Sequence, residues 1–139
     1  VRKPHFYETD QLAIVHHSNY IRWFEEARVD FMEQVGYGYD RATEEGVDFA
    51  VTGVTCDYKG MVRFGETVHI QAWISEISRS RMTVRYRITN ADTGKLCTTG
   101  ESRHCYIDSK RGRPVSLQKM LPELYDRFCA LCQPDGPDA

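Results

Sequence analysis

From residue 19 to residue 35 the apolar side chains fall at helical spacing. Tyr20, Phe24, Ala27, Phe31 and Val35 recur every three or four residues, and Trp23 and Met32 widen the stripe. Arg22, Glu25, Glu26 and Glu33 take the other side, so the pattern predicts a long helix with one packed face and one wet face. Gly36 follows as a stop, because glycine adopts the left-handed conformation that closes a helix. A short helix is predicted over residues 39–45, ended by Gly46. Beyond it the period changes to two. Residues 49–58, 67–78, 82–89 and 95–108 read as strands, and residues 3–9 as an earlier one. In the third run Val68, Ile70, Ala72 and Ile74 alternate with His69, Gln71 and Trp73. In the fourth, Met82, Val84, Tyr86 and Ile88 share a face opposite Thr83, Arg85, Arg87 and Thr89. Residues 90–94 (Asn-Ala-Asp-Thr-Gly) read as a hairpin turn, and residues 117–131 as a closing helix.

Short connections between successive strands force antiparallel pairing. One long helix and one curved antiparallel sheet make an α+β domain with the helix on one face of the sheet. Gly100 and Ser102 put small side chains on one face at the middle of the last strand, which lets Phe24 and Phe31 approach closely. Residues 1–132 read as a single domain and residues 133–139 (Gln-Pro-Asp-Gly-Pro-Asp-Ala) as a disordered tail.

The chain has 139 residues. A chain of that size buries roughly 68–70% of its unfolded surface, so it needs no metal or disulfide staple. No apolar run approaches the ~18 residues of a membrane span. Val1 to Tyr7 is polar and short, unlike a secretory leader. Five scattered cysteines, an odd number, read as reduced thiols of a cytoplasmic protein. The net charge of −2 gives no global reason to expect nucleic acid. The charge is uneven, however. Residues 8–48 hold ten acids against three Lys/Arg, and residues 79–113 hold nine Lys/Arg against three acids. Either the basic half docks a polyanion, or the two halves neutralise each other across the fold.

The chemistry concentrates at residues 7–20. An extended run ends at one acid, Asp10. A short apolar turn follows, then Ser18 and Asn19, each able to cap a helix, and then the long helix. A carboxylate is thus set just ahead of a helix N-terminus, whose free N–H groups hold an anion or a polarised carbonyl oxygen. Hydrolysis of an acyl bond requires a base or nucleophile beside such an oxyanion site. Taken by its position alone, Asp10 also suits a plain turn residue.

Tyr7, Asp10, Ala13, Val15 and the Asn19-Tyr20 pair resemble the signature of the 4-hydroxybenzoyl-CoA thioesterase family, within the hotdog-fold superfamily, and its bacterial short-chain acyl-CoA thioesterase branch in particular. Residues 23–28 (Trp-Phe-Glu-Glu-Ala-Arg) and Gly65-Glu66 extend the likeness, which runs from about Pro4 to about Phe128. Ala13 stands where the family commonly has glycine. The resemblance implies a hotdog fold: a long central helix wrapped by a curved antiparallel sheet of five or six strands. It implies hydrolysis of a short-chain or aromatic acyl-CoA, or of an acyl carrier protein thioester, without metal or redox cofactor. Asp10 would be nucleophile or general base. The His17 backbone N–H would point at the thioester oxygen, and its side chain would polarise the thioester or place water. Tyr7 and Asn19 would shape the pocket, and the sites would lie at the interface of a homodimer, often within a homotetramer.

The CoA handle needs cations for its phosphates. Arg79 and Arg81 flank a tight turn, Lys59 and Arg63 follow the 49–58 strand, and Lys110, Arg111 and Arg113 form a second basic run. All of these suit solvated loops equally well. Phe49, Val51, Val54, Phe64 and Trp73 are candidate pocket walls. Cys129 and Cys132 form one Cys-x-x-Cys pair without a second, and His5, His69 and His104 sit on separate predicted strands, so no metal site is expected. There is no Gly-x-Ser-x-Gly elbow and no glycine-rich phosphate loop. The rival readings are a hotdog hydratase acting on acyl thioesters and a non-catalytic module that binds acyl-CoA.

Overall fold

The computed structural model describes residues 1–4 and 18–137. The elements run α1 (Ser18–Val35), α2 (Tyr39–Glu44), β1 (Val47–Tyr58), β2 (Val68–Ile77), β3 (Arg81–Asn90), β4 (Leu96–Asp108), α3 (Leu117–Met120) and α4 (Pro122–Leu131). The strands form one antiparallel sheet in the order β1-β4-β3-β2. Four strands are fewer than the five or six expected. The expected first strand falls mostly on residues 5–9, outside the described residues, and what is described ahead of it is a bridge from Arg2 to Val68 on the β2 edge.

α1 spans 18 residues, roughly 27 Å. It ends as the glycine predicts. Gly36 has φ +82, its N–H donates to Glu33 O, and the Tyr37 N–H donates to Met32 O, which satisfies two terminal carbonyls. The apolar stripe is the buried face: Tyr20, Trp23, Phe24 and Met32 are all 3% exposed or less. They meet Met82, Val84, Tyr86 and Ile88 of β3, Val68 and Ile74 of β2, and Tyr106 of β4. Gly100 permits the close approach of helix and sheet. A β-carbon there would lie 2.7 Å from Phe24 Cζ and 2.8 Å from Thr55 O. Phe24 stacks on Tyr86 at 4.4 Å and 10°.

The closing helix is two helices. Residue 121 precedes Pro122, and the proline ring disfavours α geometry at the residue before it. Leu121 accordingly sits at φ −136, ψ 71 and breaks the run. Leu117, Leu124 and Phe128 still reach the core, because the apolar spacing continues across the break. Residues 133–137 follow α4 along the sheet. Gln133 N–H donates to Ile74 O, Gly136 lies against the Trp73 ring, and Arg87 donates to Pro137 O. No helix among the described residues is long and apolar enough to cross a membrane.

Candidate functional site

The start of α1 is held by aromatic packing. Tyr20, 3% exposed, meets Trp23 edge-on at 5.4 Å and the Tyr58 ring at 5.2 Å. Its hydroxyl is bonded to the Val62 backbone, and burial raises its pKa to about 12. Asn19 lies inside the first turn and is 7% exposed. No acid occupies that turn, so the partial positive charge of the helix end has no carboxylate within the turn to offset it. Asp10, His17 and Tyr7 lie outside the described residues.

The loop after β1 packs beside this helix end. Lys59 and Gly60 donate their N–H groups to Cys97 O, both at 2.9 Å. Glu66 braces the loop from inside, accepting from the Arg63 N–H at 2.8 Å and from Asn90 Nδ2 at 2.6 Å. Lys59 and Arg63 themselves are exposed. Arg79 and Arg81 sit elsewhere. They belong to the β2–β3 turn, where Ser78 N–H donates to Arg81 O and the Arg81 N–H donates to Ser78 Oγ. Arg81 pairs with Cys105, eight residues along β4 from Cys97. At ~3.3 Å per residue the two cation pairs are roughly 26 Å apart. The structure therefore groups Lys59 and Arg63 with Asn19 and sets Arg79 and Arg81 at the far end of the sheet.

The helix-facing side of β1 is partly uncovered. Val51 is 49% exposed and Val54 37%, although they pair with the buried His104 and Ser102. Phe49 is partly buried, edge-on to Tyr106 at 5.6 Å, and Phe64 is exposed. Trp73 is not a wall of this surface. It pairs with Arg85 on the opposite face of the sheet, under Gly136 and the Arg87 guanidinium. A groove of about 980 Å³ also lies on that opposite face, lined by Arg81, Thr83, Arg103 and Cys105 among others, away from the start of α1.

Between helix and sheet runs a polar chain that the sequence reading did not single out. Arg28 donates to Tyr86 Oη at 3.2 Å and to Ser102 Oγ at 3.5 Å. Tyr86 Oη and Ser102 Oγ are 2.6 Å apart, and Ser102 Oγ and His104 Nε2 are 2.7 Å apart. Arg28 donates at its end of the chain, and in each of the other two pairs either atom can be the donor. The other ring nitrogen, Nδ1, is buried without a hydrogen-bond partner among the described residues. Burial, helped by the Arg28 charge, lowers the His104 pKa to about 4, so the ring is neutral. Parity along β4 was the available signal, since Thr98, Gly100, Ser102, His104 and Tyr106 share the inner face.

A long helix lying on an antiparallel sheet, its start beside the loop after the first strand that follows it, is the architecture of the hotdog-fold thioesterases. The chain belongs to the Thioesterase-like superfamily, whose pattern it matches over residues 4–127. It is similar to a DHNA-CoA thioesterase of Staphylococcus aureus, with a TM-score of 0.86 and 29% identity over 93% of this chain and 86% of that one. It is similar to the protein TT1821 of Thermus thermophilus, with a TM-score of 0.82 and 34% identity over 93% of this chain and 95% of the other. Among sequences it resembles the acyl-CoA thioester hydrolase YbgC of Escherichia coli, 24% identical over 119 residues, 86% of this chain and 88% of that one.

Proposed function

We propose that this thioester hydrolase cleaves short-chain or aromatic acyl-CoA to free acid and CoA, with Asp10 as the acting carboxylate at the start of α1. The observation that carries the reading is the helix end itself: a first turn without an acid, on the same side of the sheet as the partly uncovered Val51 and Val54. An acyl group would lie on that surface with its carbonyl oxygen at the α1 N–H groups. One such donor contributes about 2.7–4 kcal/mol to the transition state of acyl transfer. His17, directly ahead of the helix, would supply a backbone N–H, and Tyr7 and Asn19 would bound the pocket. The ionised Asp10 would attack the thioester carbon or take a proton from the attacking water.

The assembly we propose is a homodimer, with a homotetramer as its further association. Arg2 and Gln133 both bond to β2, whereas among the described residues nothing pairs with the outer edge of the twelve-residue β1. An open edge with exposed valines is a template for another strand, and an antiparallel edge is complementary to itself about a two-fold axis. Active sites would then lie where the two β1 strands meet.

Thiol release from an acyl-CoA panel tests the reading. Wild type should turn over and Asp10→Asn should lose at least 100-fold in kcat with binding retained. Binding without hydrolysis by wild type would instead mark a ligand-binding module, and hydration of an enoyl-CoA a hydratase.

A further inference from the structure

Cys129 and Cys132 stand outside the site at the start of α1. Cys129 lies in the last turn of α4, and Cys132 ends that helix with its backbone at φ −65, ψ 124. The Cys132 N–H donates to Cys129 O at 3.3 Å, so one tight turn joins the two residues. Residues three apart in an α-helix have Cα atoms roughly 5 Å apart. That lies inside the range of about 4.4–6.8 Å that a disulfide spans. Both are free thiols, Cys129 exposed and Cys132 half-buried against the core, where it lines the large groove with Glu76 and Ile77. Cys105 lines the same groove from β4, but β4 lies two strands from β2, roughly 10 Å, which is beyond bridging distance. Burial raises the Cys132 pKa, so the exposed Cys129 is the thiol that meets a reagent first.

Cys132 leads directly into a strap. Two hydrogen bonds tie residues 133–137 to the sheet among the described residues: Gln133 N–H donates to Ile74 O at 2.8 Å, and Arg87 donates to Pro137 O at 3.1 Å. Gly136, at φ +79, lies so close to the indole that a β-carbon would fall 2.7 Å from Trp73 Cε2 and Cζ2. The Arg87 guanidinium sits 5.0 Å over the same ring. Under this cover Trp73 is 7% exposed, and its Nε1 is buried without a hydrogen-bond partner among the described residues. Lifting the strap gives that N–H to water, so an unpaired donor opposes the seated position.

We propose that Cys129 and Cys132 are a redox-sensitive dithiol, which a small disulfide such as glutathione disulfide converts into an intrachain disulfide that lifts the strap from Trp73. The Cys129 thiolate attacks one sulfur of the reagent, expels one thiol and becomes a mixed disulfide. The Cys132 thiolate then attacks the Cys129 sulfur and expels the second thiol. One S–S bond breaks and one forms, and two protons and two electrons pass from the protein to the reagent. To bring its sulfur within about 2 Å of the other, Cys132 gives up its place beside Glu76 and Ile77. Cys129 is held in helical backbone, whereas Cys132 is the non-helical end, so the displacement passes into Gln133 and its bond to Ile74.

The test uses the full chain, reduced and then incubated with glutathione disulfide. Free thiols should fall from five to three, and peptide mapping should find Cys129 and Cys132 joined in one peptide lighter by two hydrogens. Tryptophan emission should move to longer wavelength with far-UV dichroism unchanged, and dithiothreitol should reverse it. Cys132→Ser should stop at a mixed disulfide on Cys129 with no emission shift. Gly136→Val, whose side chain collides with the indole, should show the shifted emission while still reduced and none further on oxidation. Trp73→Phe should lose the shift, which assigns it to Trp73 rather than Trp23. Five thiols persisting at high glutathione disulfide, a pairing other than Cys129 with Cys132, or a Cys129–Cys132 disulfide with unmoved emission overturns the proposal. A shift that comes with lost dichroism overturns it too, since the fold and not the strap has then opened.

Discussion

His104 should make folding stability depend on pH in a window where few other groups act. The ring is 1% exposed and neutral, with a folded pKa of about 4 against an ordinary value of 6.5. Its folded pKa is depressed by burial first and by the Arg28 charge second, so the unfolded chain takes up a proton that the folded chain refuses. Between those values the unfolded state binds more protons, and stability must rise with pH. The contribution is fully present above pH 6.5 and is lost as pH falls toward 4. At 1.36 kcal/mol per unit, the loss is roughly 2 kcal/mol at pH 5 and about 3 kcal/mol at pH 4. Urea unfolding followed by tryptophan fluorescence at pH 7.5, 6, 5 and 4 measures it, with His104→Gln as the reference that lacks this titration. Carboxylates shared by both proteins cancel in the difference. A wild-type minus variant stability that stays flat from pH 7.5 to 4.5, or a His104 ring titrating above pH 6 by NMR, would refute the buried neutral ring.

Two further substitutions probe how the helix is seated. Gly100→Val should cost about 3 kcal/mol, because the added atoms meet Phe24 and the Thr55 carbonyl at 2.7–2.8 Å and the buried Phe24 is stacked on Tyr86. For a domain of this length that is a melting temperature lower by roughly 10 °C, and a change under 2 °C would show that the helix can lift off the sheet freely. Arg28→Met keeps the length of the stem and removes both donations to Tyr86 and Ser102. It should lower stability by about 1–2 kcal/mol and move the His104 pKa up toward its ordinary value, read by NMR; an unmoved His104 pKa would show that the guanidinium charge does not reach the ring.

The fold was legible where periodicity and one special residue agreed. The α1 stripe, its stop at Gly36 and the close approach at Gly100 all followed from local chemistry. The single closing helix did not, because the apolar spacing of Leu117, Leu121, Leu124 and Phe128 is continuous and masks the backbone constraint that Pro122 imposes on Leu121. Trp73 was counted as a pocket wall for its size, although its alternation with Ile74 already put it on the other face. Its burial comes from residues 133–137, a contact between distant parts of the chain that no strand pattern encodes. The candidate cations were legible as residues but not as a site. Only the register of β1 on β4 shows that Lys59 and Arg63 share an end of the sheet with Asn19 while Arg79 and Arg81 do not.

The same register gives the Arg28 chain a role in positioning. Apolar stripes tolerate sliding, since neighbouring side chains of similar size repack at little cost. A guanidinium bonded to two hydroxyls does not. A one-residue slip of α1 turns it by about 100° and moves it 1.5 Å along its axis, which takes Arg28 away from both Tyr86 and Ser102. Loss of the two charged donations, about 1–3 kcal/mol, selects one rotation and one height for the helix. Arg28 lies ten residues, roughly 15 Å, from Ser18. The chain that locks it therefore also fixes where the first N–H groups of α1 point relative to Tyr58 and Val62, the place at which an oxyanion would have to be held.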